Sequence, residues 1–181
     1  MRSKDLAQIA LFAALMVVLG FIPAVELPLA PAPLTSQTVG VLLAGSILGA
    51  RRGGLALLLF DLLVVVGLPV LPGGRGGLGV ILGPTGGFIL AWPVAAFVVG
   101  LLTERLWHRY NLGTALACNA VGTLTIYAIG IPWSAVVAHL PAWRAIEVSA
   151  VYVPGDIIKL IICSVVAVRV RRAYPLIEAR T

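Results

Sequence analysis

PTGGFILAWPVAAFVVGLL, residues 84–102, runs nineteen positions without a charged side chain. A helix rises about 1.5 Å per residue, so this stretch is long enough to cross the roughly 30 Å hydrocarbon core of a bilayer. The same pattern extends through the chain. Its 181 residues are 60% hydrophobic and only 11% charged, with mean hydropathy +1.07. A soluble domain carries charge on about a quarter of its residues. The apolar excess is too large for one water-facing core, so lipid must act as solvent.

Six apolar runs predict helices at about 5–22, 37–50, 53–67, 84–102, 113–131 and 149–170. The second and third are short, which fits close packing of small residues. Strands are excluded as an alternative. An open sheet in lipid leaves backbone groups unpaired, and no ten-residue alternation marks a barrel. The expectation is an all-α integral membrane protein: one six-helix transmembrane domain over residues 1–181, with a glycine-rich outer loop between helices three and four. The amino terminus, basic and then apolar, is read as a retained first helix, because no small-residue cleavage site follows it.

The charges give direction. Arg2, Lys4, Arg51, Arg52, Arg105, Arg109, Arg169, Arg171, Arg172 and Arg180 fall at one set of helix ends. Arg75 and Arg144 fall at the other, and Lys159 lies inside a span. Positive charge concentrates on the cytoplasmic side, so both termini are expected there, in a multi-pass protein of the cell inner (plasma) membrane. The net charge of +6 and pI of about 10.0 therefore reflect topology, and no nucleic-acid partner is expected. Trp133, Trp143 and Tyr152 would mark the outer interface, and Trp107, Tyr110 and Tyr174 the inner one.

Several chemistries are excluded. Cys118 and Cys163 stand alone in apolar segments, so neither a disulfide framework nor a metal site is expected. Gly74, Gly76 and Gly79 match GxGxxG without the strand, helix and acidic residue that a dinucleotide site needs. No GK[ST] is present, so this chain hydrolyses no ATP by a phosphate loop. His108 and His139 flank the spans without a nucleophile elbow, so no catalysis is expected.

Binding remains. GLPVLPGGRGGLGVILGPTGG, residues 67–87, holds nine glycines and reads as a mobile or re-entrant lid ending in a helix start. Pro84 suits a first helical turn, and Thr85 and the free N–H groups near it point outward. In the last span Asp156 and Lys159 stand at i, i+3, so they share a face. Each would cost about 2.5–3.5 kcal/mol in mid-membrane, and such residues usually face a cavity. Asp61 is a third buried ionisable group, either protonated or paired with Lys159 or Arg75. Asn119, Thr123 and Tyr127 form one polar stripe, with Tyr127 the ligand candidate. Thr35 is a candidate cap for the second helix, and Gln37 would reach an outer cavity. Small residues spaced by four (Ala10/Ala14, Gly45/Gly49, Gly49/Gly53, Gly79/Gly83, Gly83/Gly87) predict close helix approach. The Ala7, Ala10, Ala13, Ala14 face of the first helix is a candidate dock for a second membrane protein.

PLTSQTVGVLLAGSILG, GLPVLPGGRGGLGVILGPTGG and PGDIIKL, in that order, resemble the BioY family, the biotin-binding membrane subunits of energy-coupling factor transporters. The similarity runs over nearly the whole chain. It implies six helices, an outward-facing vitamin site and no catalysis or cofactor in this subunit. It also implies partnership with a transmembrane coupling protein and cytoplasmic ATPases that use the ATP. By resemblance, Asp156 and Lys159 belong to the ligand-contacting segment of the sixth helix, and Thr35 and Gln37 to a TxQT signature. Gly83, Pro84, Thr85, Gly86 and Gly87 match the fourth-helix entrance, and Ala10 and Ala14 the face that docks on the coupling protein. Leu71 stands where the family often has an aromatic, and Asp61 where an uncharged residue is expected. Biotin's ureido ring would donate to Asp156, and Lys159 would donate to the ureido carbonyl or the carboxylate. Arg75 would meet the carboxylate at the mouth. Another water-soluble vitamin or small molecule is the alternative ligand.

Overall fold

A computed structural model describes residues 2–25, 34–173 and 176. Among them it contains eight α-helices: α1 (Ser3–Gly20), α2 (Gln37–Leu48), α3 (Ala50–Val65), α4 (Leu78–Leu82), α5 (Gly86–Arg105), α6 (Leu112–Val137), α7 (Ala142–Ser149) and α8 (Val153–Ala173). Two isolated bridges, Val25 with Leu34 and Leu71 with Arg75, are the extended pairings among the described residues. By length and composition α1, α5, α6 and the continuous stretch Ala142–Ala173 can each cross a membrane. α2 and α3 are shorter, at 12 and 16 residues.

The shortness of α2 has a structural reason. It packs against α1, α3, α5, α6 and α8, so it is the hub of the bundle. Val41, Leu42, Ala44 and Leu48 are buried there beside the polar Gln37 and Ser46. A helix enclosed by protein need not span the lipid. The hub tolerates close neighbours because glycines face them. A side chain at Gly45 would run into Val99 and the Ala96 carbonyl of α5. One at Gly100 of α5 would run into the backbone at Gly49–Ala50.

α2 and α3 meet at Gly49, whose φ of +83° is open to glycine and costly for other residues. The expected gap over 51–52 is absent, and Arg51 and Arg52 lie in the first turn of α3. Glu104 of α5 accepts a hydrogen bond from the Ala50 amide at 2.8 Å, placing an anion at the amino end of α3. Arg52 reaches Gln8 Oε1 at 2.8 Å, Asp5 at 3.4 Å and the Leu176 carbonyl at 2.7 Å. Arg171 donates to the carbonyls of Trp107 and Tyr110 and lies 4.5 Å over the Trp107 ring. The start of α1, the α2–α3 turn, the α5–α6 turn and the end of α8 thus gather at one basic end.

Other boundaries differ from expectation. α6 passes Pro132 and continues to Val137 because Trp133 and Ser134 are anchored: they donate to the carbonyls of Gly83 and Pro84 at 3.0 and 2.6 Å. Pro84 precedes the helix, with Thr85 as the N-cap residue of α5. Gly83 is extended, so the pairs Gly79/Gly83 and Gly83/Gly87 do not lie on one helix. The expected helix over 149–170 is divided: α7 ends at Ser149, a 3-10 turn covers Ala150–Tyr152, and α8 follows. Thr35 is not the cap of α2. Ser36 holds that position, and the Thr35 carbonyl accepts from Thr38 at 3.4 Å. Tyr174, Arg180 and the proline-rich stretch up to Pro33 lie outside the described residues.

Candidate functional site

At the end away from Arg52 and Arg171, α2, α5 and α8 begin, and a pocket opens between them and α6. Its lining is mostly apolar with a few placed polar side chains, the usual pattern of a small-molecule site.

One wall is polar. Asp156 and Lys159 sit in the first two turns of α8, where the spacing of three puts them on one face. Lys159 Nζ donates to Asp156 Oδ1 at 2.9 Å. The Tyr127 hydroxyl of α6 donates to Asp156 Oδ2 at 2.5 Å. Both carboxylate oxygens are therefore engaged, yet a carboxylate has about four acceptor sites, so lone pairs remain for a further donor. Side chains of the pair are largely buried, so the low dielectric strengthens both contacts.

The opposite wall is apolar. Phe88, Ile89 and Trp92 come from two successive turns of α5, and Ile126 of α6 and Leu42 of α2 line the pocket with them. Tyr152, in the turn before α8, packs edge-on against Phe88 at 6.2 Å. An apolar slot facing a few placed charges suits a ligand with a flat apolar body and a polar rim.

The roof is the loop between α3 and α4. Leu71 and Arg75 exchange backbone hydrogen bonds at 3.0 and 3.2 Å, closing a tight turn in which Gly73 and Gly74 take φ of +75° and +69°. Val70, Leu71 and Pro72 are buried, with Leu71 and Pro72 in the pocket lining, while Arg75 lines it from an exposed position. Arg75 Nε donates to the Pro72 carbonyl at 3.2 Å, which leaves the guanidinium's other donors available at the rim.

Of the sequence candidates, Thr35, Gln37, Arg75, Thr85, Tyr127, Asp156 and Lys159 all line this one pocket. Gly83 and Asp61 do not. Gly83 supports the rim through its carbonyl bond to Trp133. Asp61 is buried in α3, and its Oδ1 has no hydrogen-bond partner among the described residues. Neither of the cations proposed for it pairs with it: Lys159 bonds Asp156, and Arg75 bonds Pro72. Ala7, Ala10 and Ala14 are exposed on α1, whereas Ala13 faces the core. Phe88, Trp92 and Tyr152 were missed as pocket residues. An aromatic in an apolar run looks the same in sequence whether it fills a core or walls a cavity.

Asn119 belongs elsewhere. It accepts from Ser46 of α2 at 3.0 Å and donates to Ser164 of α8 at 2.9 Å, wholly buried. It ties three helices together below the pocket, while Thr123 and Tyr127, higher on the same stripe, line the cavity.

These features define a class: an all-helical membrane protein with a pocket of mixed polar and apolar lining opening at one end of its bundle. Residues 1–176 match the BioY family model. The chain is 44% identical to the biotin transporter BioY of Rhizobium etli, covering 99% of this chain and all of that one. It is 43% identical to the biotin transporter BioY of Rhodobacter capsulatus, with 95% of each chain covered. Its fold superposes with a TM-score of 0.88, at 30% identity and 95% coverage of both chains, on the crystal structure of the S-component for biotin from an ECF-type ABC transporter. The chain belongs to the BioY family.

Proposed function

We propose that this chain is the membrane-embedded subunit that captures biotin for uptake, holding it in the pocket between α2, α5, α6 and α8. The observation that carries the reading is the Asp156–Lys159–Tyr127 cluster facing the apolar wall of α5 across one cavity. Biotin presents two ureido N–H donors and a carbonyl on one edge, an apolar bicycle, and a carboxylate at the end of a flexible tail. Asp156 accepts from the ureido N–H groups, Lys159 donates to the ureido carbonyl or to the carboxylate, and Phe88 and Trp92 cover the bicycle. Arg75 at the mouth meets the carboxylate, and Thr35, Gln37 and Thr85 complete the polar lining.

Transport, not catalysis, is the activity. The relatives are named as transporters, and the pocket's polar groups are suited to holding a solute. The basic end faces the cytoplasm, the pocket faces outward, and six helices (α1, α2, α3, α5, α6 and α8) form one domain in the inner membrane. The exposed Ala10 and Ala14 of α1 let a transmembrane coupling protein approach closely. Cytoplasmic ABC-type ATPases bound to that protein supply the ATP-driven step. The test is equilibrium binding of radiolabelled biotin to the purified chain. Saturable binding abolished by Asp156→Asn supports the reading. Retention of a different vitamin with no biotin binding transfers the site to that ligand.

A further inference from the structure

Gln37 does more than line the floor of the pocket. It is wholly buried, and its side-chain amide donates to two carbonyls from different parts of the fold. Nε2 reaches the Met16 carbonyl of α1 at 3.0 Å and the Val70 carbonyl of the roof loop at 3.2 Å. Both partners are acceptors, so only the amide nitrogen can face them, which settles the orientation of the side chain. The Oε1 oxygen has no partner among the described residues, although the residue lines the cavity.

The neighbourhood is built around this junction. Gly20 ends α1 against the same two groups. A Cβ there would collide with the Val70 carbonyl and come within 2.9 Å of Gln37 Nε2. The loop is also tied at its two ends, where the Leu68 N–H donates to the Leu63 carbonyl at 3.1 Å and the Gly77 N–H to the Val64 carbonyl at 2.7 Å. Gly67, Gly73, Gly74 and Gly77 all have positive φ, and a side chain at Gly73 or Gly74 would meet nothing. Between those ends the roof turns inward at its buried Val70–Leu71 corner, and Gln37 supplies the hydrogen bond that holds the Val70 carbonyl.

We infer that Gln37 is a positioning residue that latches the 66–77 roof loop to α1 over the pocket, and so governs how long a ligand stays bound. The inference rests on the biotin-binding reading for its ligand but not for its structural part. The latch couples two surfaces that are otherwise separate. α1 exposes Ala10 and Ala14 on its outer side and offers Met16 to Gln37 on its inner side. A shift of α1 on docking would move the Met16 carbonyl, and with it the amide that holds the roof. The unpartnered Oε1 lets a ligand N–H tighten the same junction from inside.

The experiment compares the purified wild type with Gln37→Leu and Gln37→Glu. Leucine keeps the volume and removes donor and acceptor, whereas glutamate keeps the shape and loses the amide donors. Hydrogen–deuterium exchange is read without ligand, and dissociation of radiolabelled biotin separately. Both variants are expected to speed exchange in residues 66–77 alone, and to speed biotin release by about tenfold with little change in the association rate, as loss of one or two buried hydrogen bonds predicts. Gly20→Ala, which crowds the latch while leaving Gln37 in place, should do the same. Unchanged exchange in the loop, or a rise throughout α2, α5 and α6, overturns the latch. Failure of the wild type to bind biotin overturns the ligand reading but leaves the exchange result to decide the latch.

Discussion

The Tyr127 hydroxyl of α6 donates to Asp156 of α8 at 2.5 Å, and Lys159 holds the other oxygen of the same carboxylate at 2.9 Å. An acid 29 positions away from its tyrosine is thereby locked in one rotamer at the pocket wall. Such a clamp prepays the ordering that a ligand would otherwise have to impose.

Tyr127→Phe is therefore expected to weaken biotin binding by about tenfold, since a hydrogen bond to a charged group contributes roughly 1.5–3 kcal/mol. Isothermal titration on the purified protein checks it. An unchanged affinity would separate Tyr127 from the site.

The ion pair gives a second test, because stability and binding should diverge. Removing one partner of a buried pair costs about 3–5 kcal/mol, whereas removing both is often neutral. Asp156→Asn and Lys159→Gln each lower the melting temperature in detergent, and the double variant recovers it. Biotin binding should be lost in all three. Recovery of binding in the double variant would show that the pair is structural.

Asp61 predicts the opposite result. It lies outside the pocket, and its Oδ1 is unpartnered. Asp61→Asn should leave biotin affinity within about twofold, because the side chain stands outside the pocket lining and a neutral amide of the same shape fits the same buried place. A larger loss of affinity would place Asp61 in contact with the site after all.

Below the pocket, Asn119→Leu leaves the Ser46 and Ser164 hydroxyls without their amide partner between α2, α6 and α8. Unsatisfied buried groups cost about 1–3 kcal/mol. Thermal stability should fall, with biotin affinity lowered less than by Tyr127→Phe. The two effects are read from melting curves and titrations on the same preparations.

On the exposed side of α1, Ala10→Trp or Ala14→Trp should block co-purification with the coupling protein and ATPases while sparing biotin binding. The bulky ring prevents close helix approach without touching the core. Loss of both properties together would indicate misfolding.

The helical membrane class was legible from composition and from runs such as 84–102, because lipid imposes length, apolarity and internal hydrogen bonding on any span. The position of α8's Asp156 and Lys159 on one face was legible too, since helical geometry alone puts i and i+3 together. The basic end could be read from the placement of arginines, which the structure gathers through Arg52 and Arg171. Only the tertiary structure showed that α2 is a hub, that Tyr127 completes the Asp156 site, that Asp61 stands apart, and that Gln37 joins α1 to the roof loop. Those outcomes depend on which helices pack together and at what depth. Local periodicity records the face a residue occupies on its own helix, while its partners across the bundle are set by the folding of segments far apart in the chain.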